Sequence, residues 1–482
     1  MAQLASPQEI VEAALAAASS DGTVVIVNDR SEANLRWAGN SLTTNGEMGS
    51  RTVTVISTVA AGGGTASGVV GRTVAHLADV RSLVEAAETA ARDGEPATDA
   101  APLVRPDQAG AGSDFGLEPE PTSIGAFDVL AHDLGEVMRA GGSGRRHFGF
   151  AEHIVDTTYL GSSTGLRLRH VQPTGRLEMN AKNADWSASS YLGFSLRDPS
   201  EADVHSADVE LTRRLAWAER SIDLPAGRYE TILPPTCLAD LLIYASWLAE
   251  AKAADEGRSA YSRRPGSAGA GRTHRKGGGA RIGERLAALP LDVYSDPQRD
   301  GIQCAPFTII PASSSDASVF DNGLPLGRQD WIRGGELVSL GGTRAYAAKS
   351  AAAGHHTPVR LASDNLVVEA PDASGSLDDL GASTKRGLLL STMWYIRLVD
   401  PQNLLLTGLT RDGVYLVEDG EVQGAVTNFR WNESPLDVLQ RITEVGETQR
   451  CYPREWGDDF TRTAMPPVRV ADFNMSSTSR AQ

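Results

Sequence analysis

The side chains able to carry chemistry are few and scattered. The nine histidines are His76, His132, His147, His153, His170, His205, His274, His355 and His356, and none is followed directly by Glu. That excludes the His-Glu helix motifs in which neighbouring turns hold two metal ligands and the Glu serves as base. His355 and His356 form the one close pair. Adjacent residues on a strand point to opposite faces, so the pair reads as a turn or loop feature rather than two ligands of one ion. Cys237, Cys304 and Cys451 are odd in number, widely spaced and without a CxxC pair, as expected of reduced thiols. Cys237 sits in an apolar run and reads as core. Cys451 sits in the polar stretch Gln449-Arg450-Cys451-Tyr452-Pro453, which leaves a reactive or ligating role open.

Two glycine-rich stretches imitate catalytic loops. Gly266-Ser267-Ala268-Gly269-Ala270-Gly271-Arg272-Thr273 nearly spells a phosphate-binding loop, with Arg in place of Lys. No strand pattern precedes it, and Arg275-Lys276-Gly277-Gly278-Gly279 follows where a helix should start. It reads as part of a mobile basic loop over 257–283, which holds seven basic residues and no acid. Gly161-Ser162-Ser163-Thr164-Gly165 has the spacing of a nucleophile elbow, a device that needs a strand-turn-helix. The following Leu166–His170 alternates like a strand, so the segment predicts a hairpin turn and a non-catalytic Ser163.

A third stretch is polar by design of its period. In Asn428-Phe429-Arg430-Trp431-Asn432 the aromatics alternate with an Asn-Arg-Asn row. This is the pattern of a half-buried strand. Phe429 and Trp431 then face a core, and Asn428, Arg430 and Asn432 face water, a partner or a substrate. Ser434-Pro435-Leu436-Asp437 follows as a capped helix start, with Leu436, Leu439 and Ile442 as its apolar stripe.

The elements that must position these residues are of mixed type. The pattern predicts a helix from Pro7 to about Ala18 and strands at 23–28, 33–37 and 51–57. A glycine-rich turn at 61–68, a helix from Thr73 to about Ala91, a loop over 98–122 and a helix over 126–139 follow. Several β-like runs fill 146–195. Helices near 208–222 and over 237–254 flank a short strand at 229–233. From about Leu291 the chain is mainly strand-like, with turns at Asp321-Asn322-Gly323, Gly341-Gly342 and Glu418-Asp419-Gly420. The expected class is α+β: a mixed N-terminal α+β domain over 1–228, and a mainly antiparallel β domain, open barrel or sheet, over 229–482.

At 482 residues, two domains are the default. Apolar content of 41% and charged content of 22% are ordinary for a globular chain. No apolar run reaches the roughly 20 residues of a membrane span. No basic segment precedes the first apolar residues, so the expectation is a cytoplasmic protein. A net charge of −16 argues against general binding to nucleic acid or anionic membrane.

Several stretches resemble the PmbA/TldD family of metallopeptidase-like proteins, and its TldE-type branch. They are Ala33–Asn40, Arg51–Val55, Thr158–Gly165, Ser259-Ala260-Tyr261, Ile282–Leu286, Val293–Pro297, and Thr407-Gly408 with Asp412–Glu421, NFRWNES coming just after. The resemblance spans nearly the whole chain. It implies a pair of related subunits, of which the TldD-type carries a His-Glu-x-x-x-His helix and a distant Cys that hold zinc. The matching helix here begins near Cys237. The resemblance sets Ile243, Tyr244 and Leu248 at the ligand, base and ligand positions, and Cys451 near the Cys position. It therefore implies no catalytic residue and no metal on this chain, zinc on a TldD-type partner in a heterodimer, and unfolded or leader peptides as substrates. Asn428, Arg430 and Asn432 are then expected to bind extended peptide. Two alternatives stay open: an unorthodox Cys451/His355/His356 site that makes the chain a peptidase by itself, or a stand-alone peptide-binding regulatory protein.

Overall fold

The computed structural model describes residues 5–73, 76–263, 279–354 and 357–479. The phosphate-loop-like Gly266–Thr273, the centre of the basic loop, and the His355-His356 pair lie outside the described residues.

Alternation builds the first half. Strands β1 (Gly22–Ala38), β2 (Leu42–Ala61), β3 (Gly64–Thr73), β4 (Arg145–Ser162), β5 (Arg167–Asn183) and β6 (Ser189–Leu196) form an antiparallel half-barrel in the order β3-β2-β1-β4-β5-β6. On one face, Val25, Val27, Val53 and Val55 pack under α1 (Pro7–Ala17) and α2 (Leu77–Asp93). Further along the same face, Ala33, Leu35, Trp37, Leu177 and Met179 pack under α3 (Asp128–Gly141) and α4 (Val204–Trp217). Ser6 opens α1 with a reciprocal capping box to Glu9. Trp37 is fully buried because Gly149 on β4 leaves it room; a Cβ there would come within 2.2 Å of its ring.

The opposite face is apolar at one end, where Val24, Ile26, Ile56 and Leu160 pack with Phe307 and Phe320, and polar along the rest. Cross-strand partners share a face, so the registers Asn34↔Glu152, Arg36↔Phe150, Glu152↔Arg176 and Phe150↔Glu178 define one charged and aromatic surface.

Local patterning misjudged several boundaries, each for a non-local reason. The expected strands 23–28 and 33–37 are one strand, because β2 and β4 pair along the polar run 29–32 without interruption. Its charges find cross-strand partners: Arg51 Nε donates to Asp29 at 2.6 Å. Thr73 ends β3, and α2 starts at Leu77. The helix expected to 222 stops at Trp217, because Ser221–Ile222 pairs with Ala425–Val426. Gly161–Gly165 is the β4–β5 hairpin turn, as expected, with Ser163 Oγ accepting from Thr23 N at 3.0 Å.

In the second half, five strands close into a barrel: Gly227–Leu233, Val468–Thr478, Phe429–Glu433, Leu405–Glu418 and Arg386–Asp400, the last pairing back onto the first. Phe429, Trp431, Phe473 and Met475 are fully buried in its core. Trp431 lies over Gly408, where a Cβ would fall 2.5 Å from the indole. The turn Asp419-Gly420 closes a hairpin with φ of 48° and 83°, the positive pair that a type I′ turn demands. Gly341-Gly342 is not the expected turn; Gly341 joins a short parallel bridge to Arg360. Ser434 precedes the helix Pro435–Arg441, but its hydroxyl donates to Asn403 O at 3.0 Å instead of capping.

A further six-stranded sheet holds Asp292–Ser295, Leu366–Glu369, Thr463–Met465 and Gln449–Cys451 among its strands. Helix α5 (Pro235–Trp247) packs against both this sheet and the barrel. It is apolar all round, as a helix in a core must be. The single helix expected over 237–254 is broken after α5, because Ala249 O accepts from Gly341 N at 2.8 Å and Ala251–Asp255 starts afresh. The ends of the basic loop meet at a Ser262–Ala280 bridge.

Candidate functional site

The positions of most interest lie on α5 and on the segment 451–456 beside it. Ile243 is fully buried in the core. Tyr244 and Trp247 pack on Trp456, with ring centroids 5.4 and 5.0 Å apart. Leu248 ends the helix, packed against the same core. Cys451 is buried, its Sγ 3.2 Å from Thr463 Oγ1. Burial pushes its thiol up to about 12, so it stays protonated at neutral pH.

Asp240 is the functional type of residue that pattern reading passed over. It is completely buried one turn into α5. Its Oδ1 accepts from Glu455 N at 3.0 Å, and its backbone carbonyl accepts from Trp456 Nε1 at 2.8 Å. Oδ2 meets no partner among the described residues. Burial drives the carboxyl well above the usual range and so favours its neutral form. The only sequence signal was a lone carboxylate in an otherwise apolar helix.

Segment 451–456 ties the two halves of the chain together through its polar side chains. Arg454 donates to Glu178 Oε2 at 2.9 Å. Its guanidinium stacks 4.5 Å from the rings of both Tyr191 and Trp394. Glu455 accepts from the backbone N–H groups of Tyr395 at 2.9 Å and Ile396 at 3.0 Å. Tyr395 holds a φ of 52°, uncommon for a non-glycine residue, and Glu455 satisfies its amide in that conformation.

The Asn428/Arg430/Asn432 row stands on the opposite side of its strand from buried Phe429 and Trp431. Asn428 Oδ1 accepts from Thr410 Oγ1 at 3.1 Å, Arg430 is exposed, and Asn432 O accepts from Asn474 Nδ2 at 3.1 Å. The registers Arg430↔Leu409 and Leu409↔Trp394 carry this face across two strands to the Trp394 ring. There Arg454 continues it onto Glu178 and the polar face of β5. The row is thus one end of a face that runs through Leu409 and Trp394 to Arg454 and Glu178.

Residues 226–477 match the family described as the PmbA/TldA metallopeptidase C-terminal domain. That span covers more than half of the chain, and the protein belongs to the PmbA/TldD family. No curated protein is matched by sequence. Solved structures share the fold along almost the whole length. TldE from Thermococcus kodakarensis superposes with a TM-score of 0.74 at 14% identity, covering 98% of this chain and 99% of that one. A provisionally assigned modulator of a DNA gyrase from Thermotoga maritima gives 0.70 at 15%, covering 94% and 95%. A provisionally assigned modulator of DNA gyrase from Bacteroides thetaiotaomicron gives 0.71 at 14%, covering 98% of both chains.

The residues at the helix do not fit a zinc ion. Ile243 and Leu248 offer no donor atom, and the Tyr244 ring packs on Trp456. Cys451 bonds to Thr463 and stands alone. Among the described residues, one group of three possible ligands converges, His132, Asp133 and Glu136 on α3, far along the chain and largely exposed. Among the described residues no helix is long and apolar enough to cross a membrane.

Proposed function

We propose that this chain is a TldE-like, non-catalytic subunit of a two-component zinc metallopeptidase. A TldD-like partner in the heterodimer supplies the zinc and the general base. This chain helps to bind unfolded or leader peptides and admit them to the partner's site. The observation that carries the reading is the α5 junction: the family fold is retained, yet apolar side chains and a neutral thiol fill the place of the ligands.

The face from Arg430 to Glu178 supplies the binding part. Amides and guanidinium groups recognise the carbonyls of an extended backbone whatever its sequence. Aromatic faces such as Trp394 accept side chains without selecting one. A peptidase working by itself with Cys451 as nucleophile is disfavoured, because the thiolate, not the buried protonated thiol, is the nucleophile.

The test is hydrolysis of an unfolded peptide by each purified chain and by the co-expressed pair. The reading expects cleavage by the pair and none by this chain. Cleavage by this chain alone, surviving removal of contaminating peptidases, sinks it.

A further inference from the structure

A second feature of α5 lies off the face just described. Leu242, Ala245 and Ser246 have the i, i+3, i+4 spacing of one stripe of α5, and Ala249 follows just past its end. They line a cavity of about 310 Å³ between α5, the second six-stranded sheet and the helix Pro435–Arg441. The volume lies at the lower end of the range of small-molecule sites. Trp247, Tyr261, Trp331 and Phe460 give it aromatic walls. Among the described residues, Asp316, Asp364 and Asp459 supply its charged side chains, and no Lys, Arg or His lines it.

Among the described residues, no ion pair holds these three carboxylates. Asp316 Oδ1 accepts only the Ser314 hydroxyl, at 2.7 Å. Arg462 donates to the Asp364 backbone carbonyl at 3.2 Å. The last turn of α5 ends against the cavity and carries no basic side chain, so the negative end of the helix dipole adds to the same field. Trp247 is 37% exposed although it lines the cavity, which leaves an indole face open to an entering group.

We propose that this cavity is a binding site for a cationic group on an apolar body: an amine or guanidinium carried by an aliphatic or aromatic frame. The aromatic walls take the frame and attract the cation through their faces. The carboxylates at the rim hold the charge and reject anions of the same shape. The site goes beyond the peptidase reading and needs no partner subunit. Two sources share the chemistry, a free organic amine and the Arg or Lys side chain of a peptide.

Phenethylamine, phenethyl alcohol and phenylpropionate have the same frame with charge +1, 0 and −1. Titration of the full chain, followed by tryptophan fluorescence and calorimetry, is expected to show phenethylamine binding at least tenfold tighter than phenylpropionate. Asp316→Asn, Asp364→Asn and Asp459→Asn together are expected to abolish that preference while leaving the alcohol's affinity unchanged. Ala362→Trp, at an exposed position on the cavity, is expected to block the ligands. A Gly/Ser hexapeptide with one central Arg, set against its citrulline counterpart, distinguishes the sources. Tighter binding of the Arg peptide than of phenethylamine, in competition with it, assigns the site to a peptide side chain. Binding of the amine alone assigns it to a small ligand. The proposal is overturned if phenylpropionate binds as tightly as the amine, if the triple variant keeps the preference, or if neither amine nor Arg peptide binds.

Discussion

The interior around α5 and the outer face of the barrel use chemistry-bearing residues in opposite ways. Inside, Asp240 and Cys451 are sealed from water, which favours their uncharged forms. Asp240 fixes the 451–456 segment against the helix, and Cys451 meets Thr463. On the outer side, Arg430 is exposed and Arg454, half-buried, stacks on aromatic rings. The lesson is that a residue type tells little until its solvation is known. A carboxyl and a thiol beside each other suggest catalysis on paper, yet burial makes both of them structural.

The largest expected effect comes from the packing that seals the interior. Trp431→Ala removes a fully buried indole seated on Gly408. A loss of about 3–5 kcal/mol is expected in denaturant unfolding. A loss under about 1 kcal/mol would mean that the barrel core is not the cohesive region described.

Next comes Asp240. Its carboxyl is raised in the fold by burial, so the folded state binds a proton that the unfolded chain gives up near its ordinary value of about 3.9. Its contribution to stability is therefore greatest below that value. It falls as pH rises above it, at up to about 1.4 kcal/mol per pH unit, until the folded carboxyl itself ionises. Asp240→Asn keeps an acceptor for Glu455 N and removes the titration. The variant should gain on the wild type with rising pH in melting experiments from pH 4 to 8. Parallel curves would show that Asp240 is solvated.

Arg430→Ala probes the outer face. Its expected cost in stability is within about 0.5 kcal/mol, as for other exposed positions. Peptide processing by the co-expressed pair should fall severalfold while assembly persists. Unchanged processing would reduce the row to an ordinary solvated face. The smallest effect is expected at the cysteines. All three are buried, so a thiol reagent should label none in the native chain and all three after unfolding. Rapid native labelling of Cys451 would reopen a chemical role for it.

Much of this fold was legible locally. The strict alternation of 428–432 placed Phe429 and Trp431 inside and Arg430 outside, and the amphipathic run from Pro7 marked α1. The turn residues Asp419-Gly420 announced their hairpin. The rest depended on partners distant in sequence. The charges of 29–32 looked like a break, because their partners Arg51 and Asp156 come from other strands. Barrel closure joins Gly227–Leu233 to Arg386–Asp400, about 150 residues apart, and no local period encodes it. The candidate surface was legible only at the Arg430 end. Its continuation through Trp394 to Arg454 and Glu178 exists only once the barrel and the half-barrel meet.

The central claim is that the α5 junction of this chain cannot supply the zinc of the proposed complex. Zinc per chain, by elemental analysis of this chain purified alone and of its complex with a His-Glu-x-x-x-His partner, tests it most directly. The account predicts no bound zinc on the isolated chain and one per heterodimer. Stoichiometric zinc on the chain alone, lost on mutation of Cys451, would contradict it.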